Sequence, residues 1–301
     1  LRQINDEVAR SRAHLFQPRQ TFRTGAQEGE GHYRRDHVYG AMLPKSWKAR
    51  NPPEGVIIYY HFVEEPDDIR LEIIGAGGGT VRSFEAGDVS HKIGMNRFVW
   101  DLRHPGPNMP RVMAGPRAVP GSYRVRLTTS DWTAEQAFEI KKDPRLTAIT
   151  QQDLVEQLEF LIQIRDAFNE MDRALETVRS VREQLDEVSA RLVEEEVKTG
   201  AQKIDDELTS IENELIQTKP GGWSQKPKIR SHLSWVASAV SSQRGEYTDA
   251  RPTDQLQERF QDLRKDLDEE LSRLQKVLEL DLVSFNRMLR DKQASAIILK
   301  P

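Results

Sequence analysis

Hydrophobic and polar residues alternate between Gly55 and about Lys142, which is the pattern of half-buried β-strands. In one stretch, Ile69, Leu71 and Ile73 share one face while charged residues occupy the other. The predicted strands are GVIIYYHF, which has the apolar run of a buried strand, and DIRLEII, TVRSFE, NRFVWDLR, SYRVRLT and QAFEIK. Turn residues separate them, so the sequence predicts an antiparallel β-sandwich of immunoglobulin-like type over residues 53–145.

The same alternation assigns two aromatic residues to the interior of this sandwich. Trp100 shares a face with Phe98, and Tyr123 shares a face with Val125. We therefore expect Trp100 and Tyr123 to belong to the core rather than to a sugar-stacking platform. The Pro- and Gly-rich stretch from His104 to Val119 is too long for a hairpin turn and predicts a loop that crosses between sheets.

Beyond the sandwich, apolar residues recur in steps of three and four, which is typical of amphipathic α-helices with a heptad-like stripe. Thr150 and Asp153 predict a capping box at the start of the first helix. Gly200 is expected to interrupt the helical pattern, and Pro252 to open the last helix. The stripes and the short loops between them predict an antiparallel three- or four-helix bundle over residues 146–301.

Residues 1–52 show neither period for long and are rich in Gly, Pro, Gln and charge. This composition predicts a linker, with a short helical turn over Ile4–Arg12 and a short edge strand in HVYGAML. The chain begins at Leu1, in the middle of this pattern, so we expect it to be a piece of a longer protein. The expected fold class is thus α+β and multidomain: linker, sandwich, then bundle.

Composition excludes several classes of function. The 301 residues include 44 Lys and Arg and 48 Asp and Glu, interleaved along the chain, so the net charge of −4 argues against a nucleic-acid partner. The mean hydropathy is −0.67, and no apolar run approaches the ~20 residues of a membrane span. There is no cysteine, which excludes a disulfide framework, a thiolate metal site and a cysteine nucleophile.

The motifs predict no catalytic residue, no metal site and no cofactor. Patterns of zinc proteases, P-loops, dinucleotide-binding turns and nucleophile elbows are missing from the sequence. His32, Asp36 and His37 form the densest polar cluster, but they fall in the predicted linker, which favours a solvated segment over a metal site. The acidic residues within 64–68 have the chemistry of a glycosidase pair, but their place after a strand favours an ordinary loop.

Trp132 is the candidate for ligand contact. It falls at the predicted tip of the hairpin that follows SYRVRLT, where an exposed aromatic ring can stack on a sugar.

Three ordered stretches carry a family resemblance: NPPEGVIIYYHF, then GMNRFVWDLRHPGP followed by VPGSYRVRLT, then DPRLTAITQQDLVEQLEFL leading to VASAVSSQRGEYTDARPTDQLQERF. In this order they resemble the C-terminal region of bacterial proteins with sortilin-like (VPS10-type) or BNR-repeat β-propellers, which are often labelled glycosyl hydrolases. The opening residues LRQINDEVARSRAHLFQPRQTFR look like the segment that leaves the propeller.

The resemblance implies an exported protein, extracellular or periplasmic, whose glycosidase site, if any, would lie in an upstream propeller. No Ser-x-Asp-x-Gly-x-x-Trp repeat occurs in this sequence, so no catalytic residue carries over. The expected function is a non-catalytic structural or interaction module whose partner is that propeller. Two alternatives stay open: an accessory part of a glycoside hydrolase that contacts glycan, and a scaffold that self-associates through its last helix.

Overall fold

A computed structural model of the chain describes residues 3–24, 55–109, 112–192, 194–218, 226–241 and 249–299. Within these ranges the fold is mixed α and β, with two largely antiparallel sheets and long helices. The chain divides into two compact units, each with its own hydrophobic core. The first contains residues 1–105, 115–158 and 242–251, and the second contains 106–114, 159–241 and 252–301.

The elements follow one another in an order that the hydrophobic periods largely predict. In chain order they are α1 (Asp6–Arg10), β1 (Ala13–Leu15), β2 (Thr21–Arg23), β3 (Val56–Phe62), β4 (Ile69–Gly75), β5 (Thr80–Glu85), β6 (Gly94–Trp100), β7 (Gly121–Thr129), β8 (Thr133–Lys142), α2 (Gln151–Arg191), α3 (Glu195–Leu215), α4 (Ile229–Ser241), α5 (Asp254–Lys276), a π-helical turn (Val277–Asp281) and α6 (Leu282–Asp291).

The strands of the first unit form a three-stranded sheet in the order β1-β3-β6 and a five-stranded sheet in the order β2-β8-β7-β4-β5. All pairings are antiparallel except that of β2 with β8, which is parallel. Strands β1 and β2 lie inside the segment expected to be a linker. They join the sheets because Leu15 and Arg23 bury their side chains there.

The inward residues of the strands are those that the alternation predicts. Ile69, Leu71 and Ile73 are fully buried, and the predicted core positions of Trp100 and Tyr123 are confirmed. Residues of both sheets make up a single core. Burial raises the pKa of the Tyr123 phenol to about 12.

The stretch from His104 to Val119 connects β6 of one sheet to β7 of the other, as expected of a crossing loop. Residues 106–114 belong to the second unit, which the sequence interpretation missed. Met109, Val112 and Met113 are buried in the core of the helices. The only sign of this burial in the sequence is that three apolar residues lie close together within a Pro-rich stretch.

The start of α2 is the predicted capping box. The Thr150 amide donates to the Asp153 carboxylate over 2.7 Å, and the Asp153 amide donates to the Thr150 hydroxyl over 3.1 Å. At α5 the hydroxyl of Thr253 caps the first turn by accepting from the amide of Leu256.

The expectation that Gly200 interrupts the helical pattern is wrong, because Gly200 lies inside α3. A Cβ atom at this position would lie 3.0 Å from Cδ2 of Phe285. Gly200 thus permits the close approach of Phe285 on α6, and its role is packing rather than termination.

Candidate interaction surface

The two sheets of the first unit differ in the chemistry of their outer faces. On the five-stranded sheet, oppositely charged side chains stand beside one another across the strands. Arg70 pairs with Glu85 at 3.0 Å, and Glu135 pairs with Arg126 at 2.6 Å and Arg124 at 3.1 Å. These exposed pairs contribute little each to stability, but they keep this face hydrated and electrically balanced.

The outer face of the three-stranded sheet carries mainly apolar side chains and few charges. Strand register places Ile57 opposite Val99, and Tyr59 opposite Arg97, all on the face away from the buried Ile58. The next outward pair, in the same register, joins His61 to Met95. We call the seven residues with these outward positions the outer apolar face: His14, Ile57, Tyr59, His61, Met95, Arg97 and Val99.

Large apolar side chains on this face and at its end are exposed to solvent. Tyr59 is 43% exposed and Met95 is 52% exposed. Val63, which follows β3, and Ile93, which precedes β6, are 46% and 67% exposed. Because exposed apolar side chains that lie together are a common feature of interaction sites, this face is the candidate interaction surface.

Three polar groups sit within the outer apolar face. His14 lies opposite His61 across β1 and β3, with its ring centroid 4.6 Å from that of Phe16. The Nδ1 atom of His61 is buried and has no hydrogen-bond partner among the residues that the structure describes. Arg97 is exposed and forms no ion pair within those same ranges, so its charge is available to a carboxylate of a partner.

Trp132, the predicted ligand contact, lies in the turn between β7 and β8. Its carbonyl accepts from the Thr129 amide over 2.7 Å, and its ring packs edge-on against Phe62 with the centroids 6.4 Å apart. The ring is half-buried against the sheet core. Phe62 is the last residue of β3, and Glu64, two residues later, pairs with Arg12 at 2.6 Å.

The other residues considered for chemistry are not brought into one site. Glu64 pairs with Arg12, while Glu65 lies 3.7 Å from the Nε2 atom of His91. The cluster of His32, Asp36 and His37 lies outside the described residues. Inside them, no group of three or more His, Asp or Glu side chains is arranged to hold a metal ion.

The first unit also contains a buried polar network that the sequence pattern did not predict. The Arg23 side chain is 2% exposed and pairs with Asp249, which is 6% exposed, at 2.8 Å. Its remaining donors reach the carbonyl of Ala118 at 3.0 Å and Oε1 of Gln157 at 2.7 Å. The network ties β2 to the segment before β7, to α2 and to residue 249, and its full set of hydrogen bonds marks it as structural.

Neither a comparison with protein-family models nor one with curated protein sequences finds a match for this chain. Among the helices in the described ranges, none combines the length and the apolar character needed to cross a membrane.

Proposed function

We propose that this chain is a non-catalytic structural and interaction module of a larger exported protein. The observation that carries the proposal is the outer apolar face, on which Tyr59 and Met95 remain exposed while the other sheet presents balanced charge. Burying such a surface against a partner contributes about 25 cal/mol per Å² of apolar area, which favours docking.

We further propose that the two sheets constitute an immunoglobulin-like sandwich. With β1 as A, β2 as A′, β3 as B, β4 as C, β5 as C′, β6 as E, β7 as F and β8 as G, the sheets have the orders A-B-E and A′-G-F-C-C′. Sandwiches of this class divide their strands between two sheets in this way.

A second feature supports this fold. Tyr123 stands near the start of β7, and its hydroxyl donates to the carbonyl of Val119, four residues upstream, over 2.7 Å. A tyrosine that bonds back to its own backbone at this strand is a mark of immunoglobulin-like domains. Val125, two residues later and fully buried, occupies the position of the second disulfide cysteine in antibody domains.

The helices of the second unit are proposed to form an antiparallel bundle. Arg182 of α2 bonds to Asp205 of α3 at 2.7 Å and to Glu212 of the same helix at 2.8 Å. The short connection between these helices, at residues 192–194, favours antiparallel neighbours. Buried residues of α2 to α6 share one core.

The proposed partner is an upstream β-propeller of the same polypeptide. The resemblance of the three ordered stretches to sortilin-like and BNR-repeat proteins supports this choice, and it also supports an extracellular or periplasmic location. The docked surface of the propeller would be apolar opposite Tyr59 and Met95, with a carboxylate opposite Arg97.

The first experiment is to sequence the gene upstream of the Leu1 codon. Propeller repeats preceded by an export signal are the expected result. A start codon within a few residues of Leu1 would contradict the proposed partner and location.

The second experiment measures binding of this chain to the separately purified upstream region by calorimetry. The double variant Tyr59→Lys, Met95→Lys is expected to bind at least about tenfold more weakly, because it places charge in the buried centre of the interface. The control variant Arg70→Ala, Glu85→Ala removes an exposed ion pair on the other sheet and should bind as the parent does. Equal binding by all three chains would overturn the docking role.

One observation favours glycan contact as a second candidate function. The ring of Trp132 is held in place by Phe62 and is still partly exposed at a strand end. A glycan array probes this directly: binding that Trp132→Ala abolishes and Trp235→Ala preserves would support it, since Trp235 is an exposed tryptophan on α4. An array on which the parent chain binds no glycan removes this candidate.

A further inference from the structure

The segment that follows α6, residues 294–299, packs against the helical core without being part of a helix or a strand. We call it the strap. Ile297 within it is only 4% exposed and belongs to the core of the second unit. The next two side chains, Ile298 and Leu299, are 70% and 45% exposed. A single buried aliphatic side chain therefore anchors the strap.

Two side-chain amides hold the backbone of the strap. Asn286 of α6 donates to the carbonyl of Ile297 over 2.9 Å and accepts from the amide of Ile297 over 2.7 Å. Gln184 of α2 donates to the carbonyl of Ile298 and accepts from its amide, both over 2.8 Å. Each amide thus forms a pair of hydrogen bonds with one residue, as a neighbouring strand does in an antiparallel sheet.

This amide clamp, formed by Gln184 and Asn286, holds the strap as an extended peptide. It satisfies the backbone groups of two successive residues on opposite sides, and backbone groups are the same in every sequence. Selectivity comes from the place of Ile297, which is buried in the helical core. The Gln184 amide is itself oriented by a bond of 3.1 Å to the carbonyl of Ser180.

The connection between α6 and the strap is strained. The helix ends in a Schellman motif, in which the amide of Ala294 donates to the carbonyl of Leu289 over 2.9 Å. Gln293 occupies the left-handed position of the motif with a φ of +57°. Glycine is the usual residue there, because a side chain in this conformation has an unfavourable free energy.

We propose that the amide clamp accepts the strap of a second copy of this chain, so that two copies exchange straps and form a reciprocal dimer. The closed monomer and the exchanged dimer contain the same clamp and the same buried Ile297, and they differ only at the hinge around Gln293. Tethering favours the closed form, since a short linker holds the strap at millimolar effective concentration. In the exchanged form Gln293 can leave the left-handed conformation, and the free energy gained in this way favours exchange.

Strap exchange does not depend on docking to an upstream domain. The clamp and the strap belong to the second unit, whereas the outer apolar face belongs to the first unit. A variant at Tyr59 and Met95 therefore leaves strap exchange unaffected, and a variant at Gln293 leaves docking unaffected.

The test is refolding of the full chain from denaturant at two concentrations: about 1 µM, far below the effective concentration of a short tether, and about 1 mM, comparable to it. The size of the product is measured by chromatography with light scattering. The parent chain is expected to be monomeric at the lower concentration and to contain dimer at the higher one.

Three variants distinguish strap exchange from any other mode of dimerisation. Gln293→Asn and Gln293→Gly tolerate the left-handed conformation progressively better, so the dimer association constant should fall in that order, by about tenfold or more for glycine. Ile297→Asp removes the anchor and should abolish the dimer. Glycine also gives the open hinge more backbone freedom than any other residue. Gln293→Asn is the control for this effect, because asparagine tolerates the left-handed conformation without that added freedom.

Two results would overturn the proposal: a parent chain that stays monomeric after refolding at the higher concentration, or a dimer whose amount is the same in the parent and in both Gln293 variants. If Ile297→Asp does not fold, the Gln293 series decides alone, because those substitutions leave the core intact.

Discussion

Gly55 stands immediately before β3 in a backbone conformation that side chains rarely adopt. Its φ is +123°, and a Cβ atom there would lie 2.0 Å from the carbonyl oxygen of Trp100. That oxygen belongs to the partner strand, so neither side can move without breaking the register of β3 and β6. The position requires glycine.

We predict that Gly55→Ala lowers the free energy of unfolding by about 2–4 kcal/mol, because the added methyl group forces the two strands apart. Chemical denaturation followed by tryptophan fluorescence measures the loss. Gly77→Ala is the matched control, since a Cβ at Gly77 meets nothing within 4 Å. Equal stability of the two variants would contradict the assigned role of Gly55.

The buried pair of Arg23 and Asp249 supports a second prediction at the residue scale. Arg23→Met leaves the Asp249 carboxylate buried without its main partner, and we expect a loss of about 3–5 kcal/mol. The double variant Arg23→Met, Asp249→Leu should lose less than the sum of the single variants, because it leaves no carboxylate behind. A double-mutant cycle by urea denaturation checks this, and strict additivity would refute the coupling.

At the scale of elements, the capping box of α2 predicts a dependence of stability on pH. Hydrogen bonds from the Thr150 hydroxyl and amide lower the pKa of Asp153. The folded state thus favours the carboxylate, which stabilises the protein above the unfolded pKa of about 3.9. This contribution is lost as the pH falls through the lower pKa of the folded state.

We therefore expect Asp153→Asn to lower the melting temperature at pH 7, and the difference from the parent to shrink as the pH falls below about 4. Thermal unfolding by circular dichroism at a series of pH values provides the measurement. Asp186→Asn, on the exposed side of the same helix, is the control and should show no such difference. A difference that stays constant down to the lowest pH would argue against the cap.

Helix packing at Gly200 supplies a further prediction at this scale. Two ring carbons of Phe285 lie 3.0 and 3.1 Å from the position of an added Cβ, so Gly200→Val must push α3 away from α6. We expect a loss of about 1–3 kcal/mol despite the better helix propensity of valine. Adding Phe285→Leu should recover part of it by making room, and no recovery in the double variant would show that the strain lies elsewhere.

For the whole molecule, the exposed apolar surface predicts behaviour in solution. Replacing Tyr59 and Met95 by lysine should lower the free energy of unfolding by no more than about 1 kcal/mol, because both side chains are exposed and the added cost is mainly that of a lysine opposite Arg97. Binding of a hydrophobic dye should nevertheless fall clearly. A large loss of stability would mean that these side chains support the fold rather than an interaction.

How much of this molecule is predictable from sequence differs between its parts. The strands from β3 to β8 and the helices α2 and α5 follow from periods of two and of 3.6, because each periodic face must find an apolar neighbour. Strands β1 and β2 were missed, since three residues are too few to show a period. The assignment of residues 106–114 to the helical unit was also missed, because Pro and Gly dominate the local pattern.

The candidate surfaces were less predictable than the core. The outer apolar face depends on which of two alternating faces turns outward, and Tyr59 and Ile58 look alike in a continuous apolar run. Hydrophobic periodicity could not predict the strap, because Gln184 and Asn286 bind its backbone groups, which every residue carries.

The sequence by itself determined the strands from β3 to β8, the long helices, the capping box of α2, the burial of Trp100 and Tyr123, and the absence of any cysteine chemistry. These are local properties, set by period, by capping side chains and by composition. Tertiary structure alone decided the partners: Arg23 with Asp249, Gly200 with Phe285, and the amide clamp with the strap. Arg23 and Asp249 lie 226 residues apart, and no local interaction of either residue encodes the other. They meet because the burial of apolar surface elsewhere brings distant segments together, and the buried polar groups must then find partners.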